Sequence, residues 1–195
     1  MAPQLTYTLE IEELTTLNDF KEKLSGGTRT SVGSADQVIE EVLQDTSKLS
    51  LVYELFLDED PVIAMRSSYV AMKVAEHKPE SVAPFSDFLF SNMDHFTQQE
   101  VRWHVPQLLS HLNLTDDQKN ISYRYLMDWA ETDKSKIVGY YSLQAAADIA
   151  QTDQDILKDF VPRLKKAHQS GAKSIQNRCK KIAKQLRIEL EAPEA

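Results

Sequence analysis

The chain has 195 residues, 42% hydrophobic and 27% charged, the make-up of a soluble globular protein with one sizeable core rather than several domains. No apolar run approaches the roughly 18 residues of a membrane span, and the N-terminus MAPQLTYTLEIEEL has acidic flanks and no apolar secretory core. The net charge of −8 is uneven: residues 1–155 hold 12 Lys+Arg against 26 Asp+Glu, and residues 156–195 hold 10 against 4, so a basic end follows an acidic body.

Residues 1–33 read as an N-terminal arm. TYTLEIEEL suits a short extended piece, LNDFKEKL a short helix, and SGGTRTSVGS, with three of the five glycines, a loop. From there to residue 190 helix-start residues recur. Ser34 with Gln37 and then Thr46 come first, and Asp60 is followed by Pro61, well suited to a first helical position. Pro79 opens the next segment. Thr97 with Glu100 and Thr115 with Gln118 are capping-box patterns, and Asp133, Thr152 with Asp155, and Ser170 complete the series. From Asp60 the intervals are 19, 18, 18, 18, 19 and 18 residues, which predicts about nine helices of roughly four turns, joined by tight loops and therefore antiparallel to their neighbours. Residues 191–195 read as a tail.

Every second helix carries the same core stripe at i, i+4, i+7 and i+11. The four stripes are Ile63, Ser67, Val70, Val74; Val101, Val105, Leu108, Leu112; Val138, Ser142, Ala145, Ile149; and Ile175, Cys179, Ile182, Leu186. The copies are offset by 38, 37 and 37 residues. Caps and stripes thus arrive separately at a two-helix repeat near 37 residues, the mark of an α-solenoid. The expected fold is all-α: a right-handed α-solenoid of about four helical pairs behind a short irregular arm.

On the helix after Thr97, Arg102 flanks the stripe on one side and His104 and His111 on the other, while Trp103 and Gln107 point well away from it. Pro106 lies deep enough to cost an intrahelical bond and bend that helix. The His104 position carried through the repeats gives Arg66, His104, Tyr141 and Arg178. Seven residues on stand Lys73, His111, Asp148 and Gln185. Such columns either line a binding surface or tie adjacent repeats together. In the second case Asp60, Glu76 and Glu100 are the nearest acceptors for Arg66 and Arg102.

Catalytic patterns are missing. The five histidines have no metal-ligand spacing, and neither a nucleophile elbow nor a phosphate-binding G-x-x-x-x-G-K occurs. No metal or cofactor is expected. The single cysteine, Cys179, stands in a stripe position and reads as a buried structural thiol; one cysteine also fits a reducing cytoplasm. The loop GGTRTSVG, with Arg29 and several hydroxyls, reads as a linker rather than an anion site.

The period and helix pairing resemble HEAT repeats, and the position after each stripe's first member, where that motif often has arginine, holds Ala64, Arg102, Gly139 and Gln176. The stretches GGTRTSVG, DEDPVIAMR, QQEVRWH and SKIVGYYSLQAAADIA further resemble a family of bacterial HEAT-repeat proteins over roughly residues 26–188. The resemblance implies a fold and supplies no substrate. The expected function is a non-catalytic scaffold or adaptor, favoured as a monomer, that holds a protein or peptide on its inner helical face through Arg66, Arg102, Trp103, His104, Gln107, His111, Tyr141 and Arg178. Two alternatives stand beside it. A HEAT-like alkylpurine DNA glycosylase could draw on Trp103, Tyr140, Tyr141, Asp148 and the basic C-terminal helices, though duplex binding needs more cationic surface than this acidic chain offers. Self-association would join the basic end of one copy to the acidic body of another.

Overall fold

A computed structural model describes residues 11–191. Among them the chain is all-α, with ten α-helices, three 3-10 segments and no strand. The packing divides between Leu112 and Asn113 into two compact units.

The N-terminal unit begins with α1 (Ile11–Leu24), which buries Phe20 and Leu24 against α2 (Ala35–Gln44) and its neighbours. The arm is therefore more helical than expected. The last four residues of the piece read as extended form the first turn of α1, and its earlier residues lie outside the described range. Lys21 pairs with Asp58 at 2.7 Å, and Lys23 joins Asp19 to Glu41, so α1 is held by ion pairs as well as by its core face.

Residues 46–57 and 79–91 do not form the expected four-turn helices. The first stretch is a 3-10 turn (Thr46–Lys48), α3 (Leu49–Glu54) and a second 3-10 turn (Leu55–Leu57). Between the two stretches runs α4 (Pro61–His77), and the second stretch is a 3-10 segment (Pro79–Phe85) followed by α5 (Ser86–Ser91). Pro84 has no N–H to continue an α-helical ladder. Aromatic rings fill the space instead: Tyr53 stacks on Phe56 at 4.8 Å and on Phe85 at 4.2 Å, and Phe88 and Phe96 close on Phe56. Burial in this cluster pushes the Tyr53 hydroxyl well above its ordinary pKa.

α4 starts where the sequence says. Asp60 accepts the Val62 N–H at 2.8 Å, and Pro61 takes the first position, where its missing N–H costs nothing. Its stripe of Ile63, Ser67, Val70 and Val74 is buried, and it packs against α2 and α6 (Gln99–Leu109). The cap of α6 is Gln98 rather than Thr97; the Gln98 side chain donates to the Pro61 carbonyl at 2.6 Å.

The C-terminal unit consists of four long helices: α7 (Asp116–Thr132), α8 (Lys136–Gln151), α9 (Gln154–Ser170) and α10 (Lys173–Leu186). Thr115 and Gln118 form the full capping box at the start of α7. Three other starts slip by one or two residues: Ser135 caps α8 in place of Asp133, Asp153 caps α9 in place of Thr152, and α10 begins after Ala172 rather than Ser170. α8 packs against α7, α9 and α10. Its stripe is buried throughout, as are Cys179 and Ile182 facing it from α10. The α9–α10 corner needs a glycine, because a Cβ at Gly171 would lie 2.4 Å from the Ala167 carbonyl oxygen and 2.8 Å from Ile175.

Candidate functional site

The eight residues singled out from the sequence fall in both units and differ in exposure. Arg66 and His104 are interior groups, 2% and 1% exposed, so neither is available to a partner. Arg102, Trp103, Gln107, His111, Tyr141 and Arg178 are half-buried.

Arg66 points from α4 into the loop of residues 25–33. Its Nε donates to the Ser31 carbonyl at 2.9 Å, and one terminal nitrogen donates to the Leu24 and Ser25 carbonyls at 2.9 and 2.8 Å. The other terminal nitrogen reaches the Thr28 carbonyl at 3.4 Å. The expected acceptors, Asp60 and Glu76, are not used for this: Asp60 caps its own helix and Glu76 pairs with Lys73. Gly27 and Gly33 approach the guanidinium so closely that Cβ atoms there would lie 3.3 and 2.6 Å from it, and both have left-handed φ, +72° and +55°. The glycine loop is thus a collar of carbonyls around a buried cation, which is why it holds its shape without secondary structure of its own. Its exposed Arg29 reaches Glu100 at 3.4 Å.

His104 is bonded one repeat back. Ser68 spends its hydroxyl proton on the Met65 carbonyl at 2.9 Å, so it must accept from His104 Nδ1–H at 2.8 Å. The Nε2 atom then carries only a lone pair, buried and without a partner among the described residues. Burial, with a smaller contribution from the Lys73 charge, pushes the imidazole pKa down to about 3. The ring is neutral at physiological pH and, in the folded chain, does not titrate between pH 5 and 8. The Trp103 ring lies 4.5 Å from it, with Gln107 donating to the Trp103 carbonyl at 2.9 Å. Arg102 turns back on its own entry turn, its Nε donating to the Phe96 carbonyl at 2.6 Å.

In the C-terminal unit α8 and α10 share a polar face. The Arg178 guanidinium lies 3.6 Å above the Tyr140 ring and donates to Gln144 Oε1 at 2.7 Å. Gln144 Nε2 donates to Asp148 at 2.8 Å and to Gln185 at 3.0 Å, and Gln185 Nε2 donates to Asp148 at 2.8 Å and to Gln151 at 2.9 Å. Each amide thereby uses both of its protons, and the side chains are locked. Tyr141 stands beside this ladder, its ring edge-on to Tyr140 at 5.2 Å. Of these residues the column pattern pointed to Tyr141, Asp148, Arg178 and Gln185. Gln144, which connects them, stands outside both columns.

A second network joins α7 to α9. Arg163 clasps Glu131 with two bonds of 2.7 and 2.9 Å and reaches Asp159 at 3.2 Å, while the Tyr123 hydroxyl donates to Asp159 at 2.6 Å. The bonds from Arg163 hold the Glu131 carboxyl below its ordinary range, and the bond from Tyr123 does the same for Asp159. Only the Asp159–Arg163 spacing of four hinted at this in the sequence.

The repeat length reappears in these bonds. Ser68 and His104 are 36 residues apart, Tyr123 and Asp159 36, Asp148 and Gln185 37, and Pro61 and Gln98 37. Of these bonds only Asp148–Gln185 joins two positions of one column; the others link neighbouring helices at nearly the same spacing.

Among the described residues no three His, Cys, Asp or Glu side chains converge as a metal site would require, and no helix is long and apolar enough to cross a membrane. The Cys179 thiol is buried and pushed up to about 11, which keeps it protonated and inert at neutral pH. Comparison with curated proteins and with solved structures finds no match for this chain. Comparison with family profiles does: the HEAT repeat domain profile matches residues 20–186, from the last five residues of α1 through all four stripe-bearing helices. The chain belongs to the HEAT repeat domain family.

Proposed function

We propose that the protein is a non-catalytic scaffold or adaptor that holds a protein segment on its half-exposed polar faces. HEAT repeats commonly mediate protein–protein interaction and are generally non-enzymatic. The observation that carries the reading is Arg178. Its guanidinium is held flat on Tyr140 and oriented by Gln144, yet it pairs with no carboxylate among the described residues. A cation whose side-chain entropy is already spent suits two-point capture of a carboxylate on a partner. Tyr141 beside it supplies aromatic area of the kind that dominates binding energy. On α6 the corresponding groups are Trp103 and Gln107, with His111 in the turn that follows and Arg102 at the edge; His104 and Arg66 act from inside, by fixing the ring of Trp103 and the loop of residues 25–33.

The test is photo-crosslinking from position 141 and, separately, from position 103 in cells of the source organism, with each adduct identified by mass spectrometry. One discrete protein captured at position 141, and lost in Arg178→Gln with helicity unchanged, is the expected result. Undiminished capture in Arg178→Gln, or adducts spread over many abundant proteins, would remove the α8–α10 face from the proposal. Recovery of nucleic acid in place of protein would overturn the reading altogether.

A further inference from the structure

Beyond its first residue, α8 leaves a single open ridge. Ile137, Tyr140, Tyr141, Gln144, Asp148 and Gln151 recur at i, i+3, i+4, i+7, i+11 and i+14, and the rest of the helix after Lys136 is buried. The ridge has an apolar end and a polar end. Ile137, 47% exposed, stands one turn before Tyr141, and the amide ladder to α10 occupies the remainder.

The ladder carries two opposite charges and keeps them apart. Gln144 accepts from Arg178 through its oxygen at 2.7 Å and donates to Asp148 through its nitrogen at 2.8 Å. One neutral amide thus stands between a guanidinium and a carboxylate whose bonded atoms are at most about 8 Å apart. Neither charge meets an opposite charge among the described residues, whereas Arg163 on α9 clasps Glu131 directly. Arg178 Nη2 and Asp148 Oδ2 have no hydrogen bond among the described residues, and neither atom is sealed, although Arg178 Nε is. A pair placed only for stability gains most by closing directly, since attraction falls with distance.

We propose that this ridge holds an extended protein segment in which an apolar, an acidic and a basic residue occupy alternate positions. The apolar residue lies on Ile137 and Tyr141, the acidic one at Arg178 and the basic one at Asp148. The inference rests on the adaptor reading and names the segment that the face would hold. Alternate residues of an extended chain share one side at about 7 Å, which matches the separation of the two charges and is too wide for the segment to pair with itself. A helical segment with these charges one turn apart pairs internally and gains little by docking. Lys181, exposed three residues beyond Arg178 on α10, adds a cation to the face. The acidic residue therefore contributes most of the affinity, and the basic residue sets the orientation.

The probes are fluorescein-labelled peptides followed by anisotropy against the full chain. One has leucine, glutamate and lysine at alternate positions between serines, a second has glutamate and lysine exchanged, and a third has serine in place of lysine, each in both chain directions. The ordered peptide should bind saturably in one direction, roughly tenfold tighter than the exchanged one. Asp148→Asn keeps an oxygen for the two amides and loses only the charge. It should weaken the ordered peptide about fivefold and leave the lysine-free peptide unchanged, with helicity intact. The inference is overturned by no saturable binding of the ordered peptide, by equal binding of ordered and exchanged peptides, or by equal effects of Asp148→Asn on ordered and lysine-free peptides. In cells, crosslinking at position 141 that is lost in Arg178→Gln yet intact in Asp148→Asn leaves the adaptor face standing and overturns this charge order. No capture at position 141 removes both.

Discussion

In the N-terminal unit the far-reaching polar contacts run mostly from side chain to backbone. Arg66 donates to the Leu24, Ser25 and Ser31 carbonyls, Lys78 to Leu43, and Gln98 to Pro61. In the C-terminal unit they run from side chain to side chain: Arg163 to Glu131, Tyr123 to Asp159, and the amide ladder of Gln144, Asp148, Gln185 and Gln151. The difference follows from helix continuity. Four long helices with tight corners spend nearly all their carbonyls internally, so the side chains between them are left to satisfy one another. Broken helices and a glycine loop expose carbonyls that must find donors elsewhere. Irregular backbone in this protein is stabilised by captured carbonyls, and regular backbone by paired side chains.

The contrast can be broken most sharply at Arg66. Replacing it by Met leaves at least three carbonyls facing apolar surroundings, and we expect a loss on the order of 3–5 kcal/mol, read from urea denaturation. Hydrogen exchange should rise first in residues 25–45 and leave α7–α10 protected. A loss below about 1 kcal/mol would mean that the loop does not depend on the cation.

His104 sharpens the same comparison through pH. Its folded pKa, about 3, lies below the value near 6.5 of an unfolded histidine, so the unfolded chain binds the proton first. Stability from this group is therefore complete above pH 6.5 and falls steadily below it, by about 2 kcal/mol between pH 7.5 and 5. Asn retains a donor for Ser68 and cannot titrate. His104→Asn should thus show a flatter stability–pH curve than the wild type over that range, whatever its absolute stability. Parallel curves would contradict the buried neutral ring.

The ladder in the C-terminal unit should show pairwise coupling. A double-mutant cycle on Asp148→Ala and Gln185→Ala is expected to give about 1 kcal/mol of interaction energy, and additivity within error would show that the ladder is incidental. The smallest effect belongs to Arg163. Its partners are half-exposed, so Arg163→Gln should cost about 0.5 kcal/mol at low salt and less at high salt. A loss above about 2 kcal/mol would give that network the weight assigned here to Arg66.

The two helical periods were legible because burial of one face imposes them along the chain: the stripes of α4 and α8 are buried in full and the caps at Asp60 and Thr115 stand as read. Leu112, by contrast, falls past the end of α6, and Ile175 and Leu186 at the two ends of the α10 stripe are half-buried. α6 and α10 start after Gln98 and Ala172 with no side-chain cap bond, while at the other two slipped caps two competent residues lay within three positions, Asp133 with Ser135 and Thr152 with Asp153. Which one caps depends on the loop length that packing selects, and the sequence alone leaves that open. The aromatic collapse of Tyr53, Phe56, Phe85, Phe88 and Phe96 also overrode the helical spacing of residues 46–57 and 79–91, because ring packing is decided among residues distant in the chain. The columns of Arg66, His104, Tyr141 and Arg178 were visible as positions, but their exposure was not. By itself, then, the sequence determined an all-α chain of two-helix repeats and the register of its core, since both follow from local periodicity. Tertiary structure alone decided that Arg66 would close on carbonyls 35–42 residues earlier and that His104 would be sealed in its neutral form. Carbonyl oxygens carry no side-chain signature, and burial is a property of neighbours that only folding assembles.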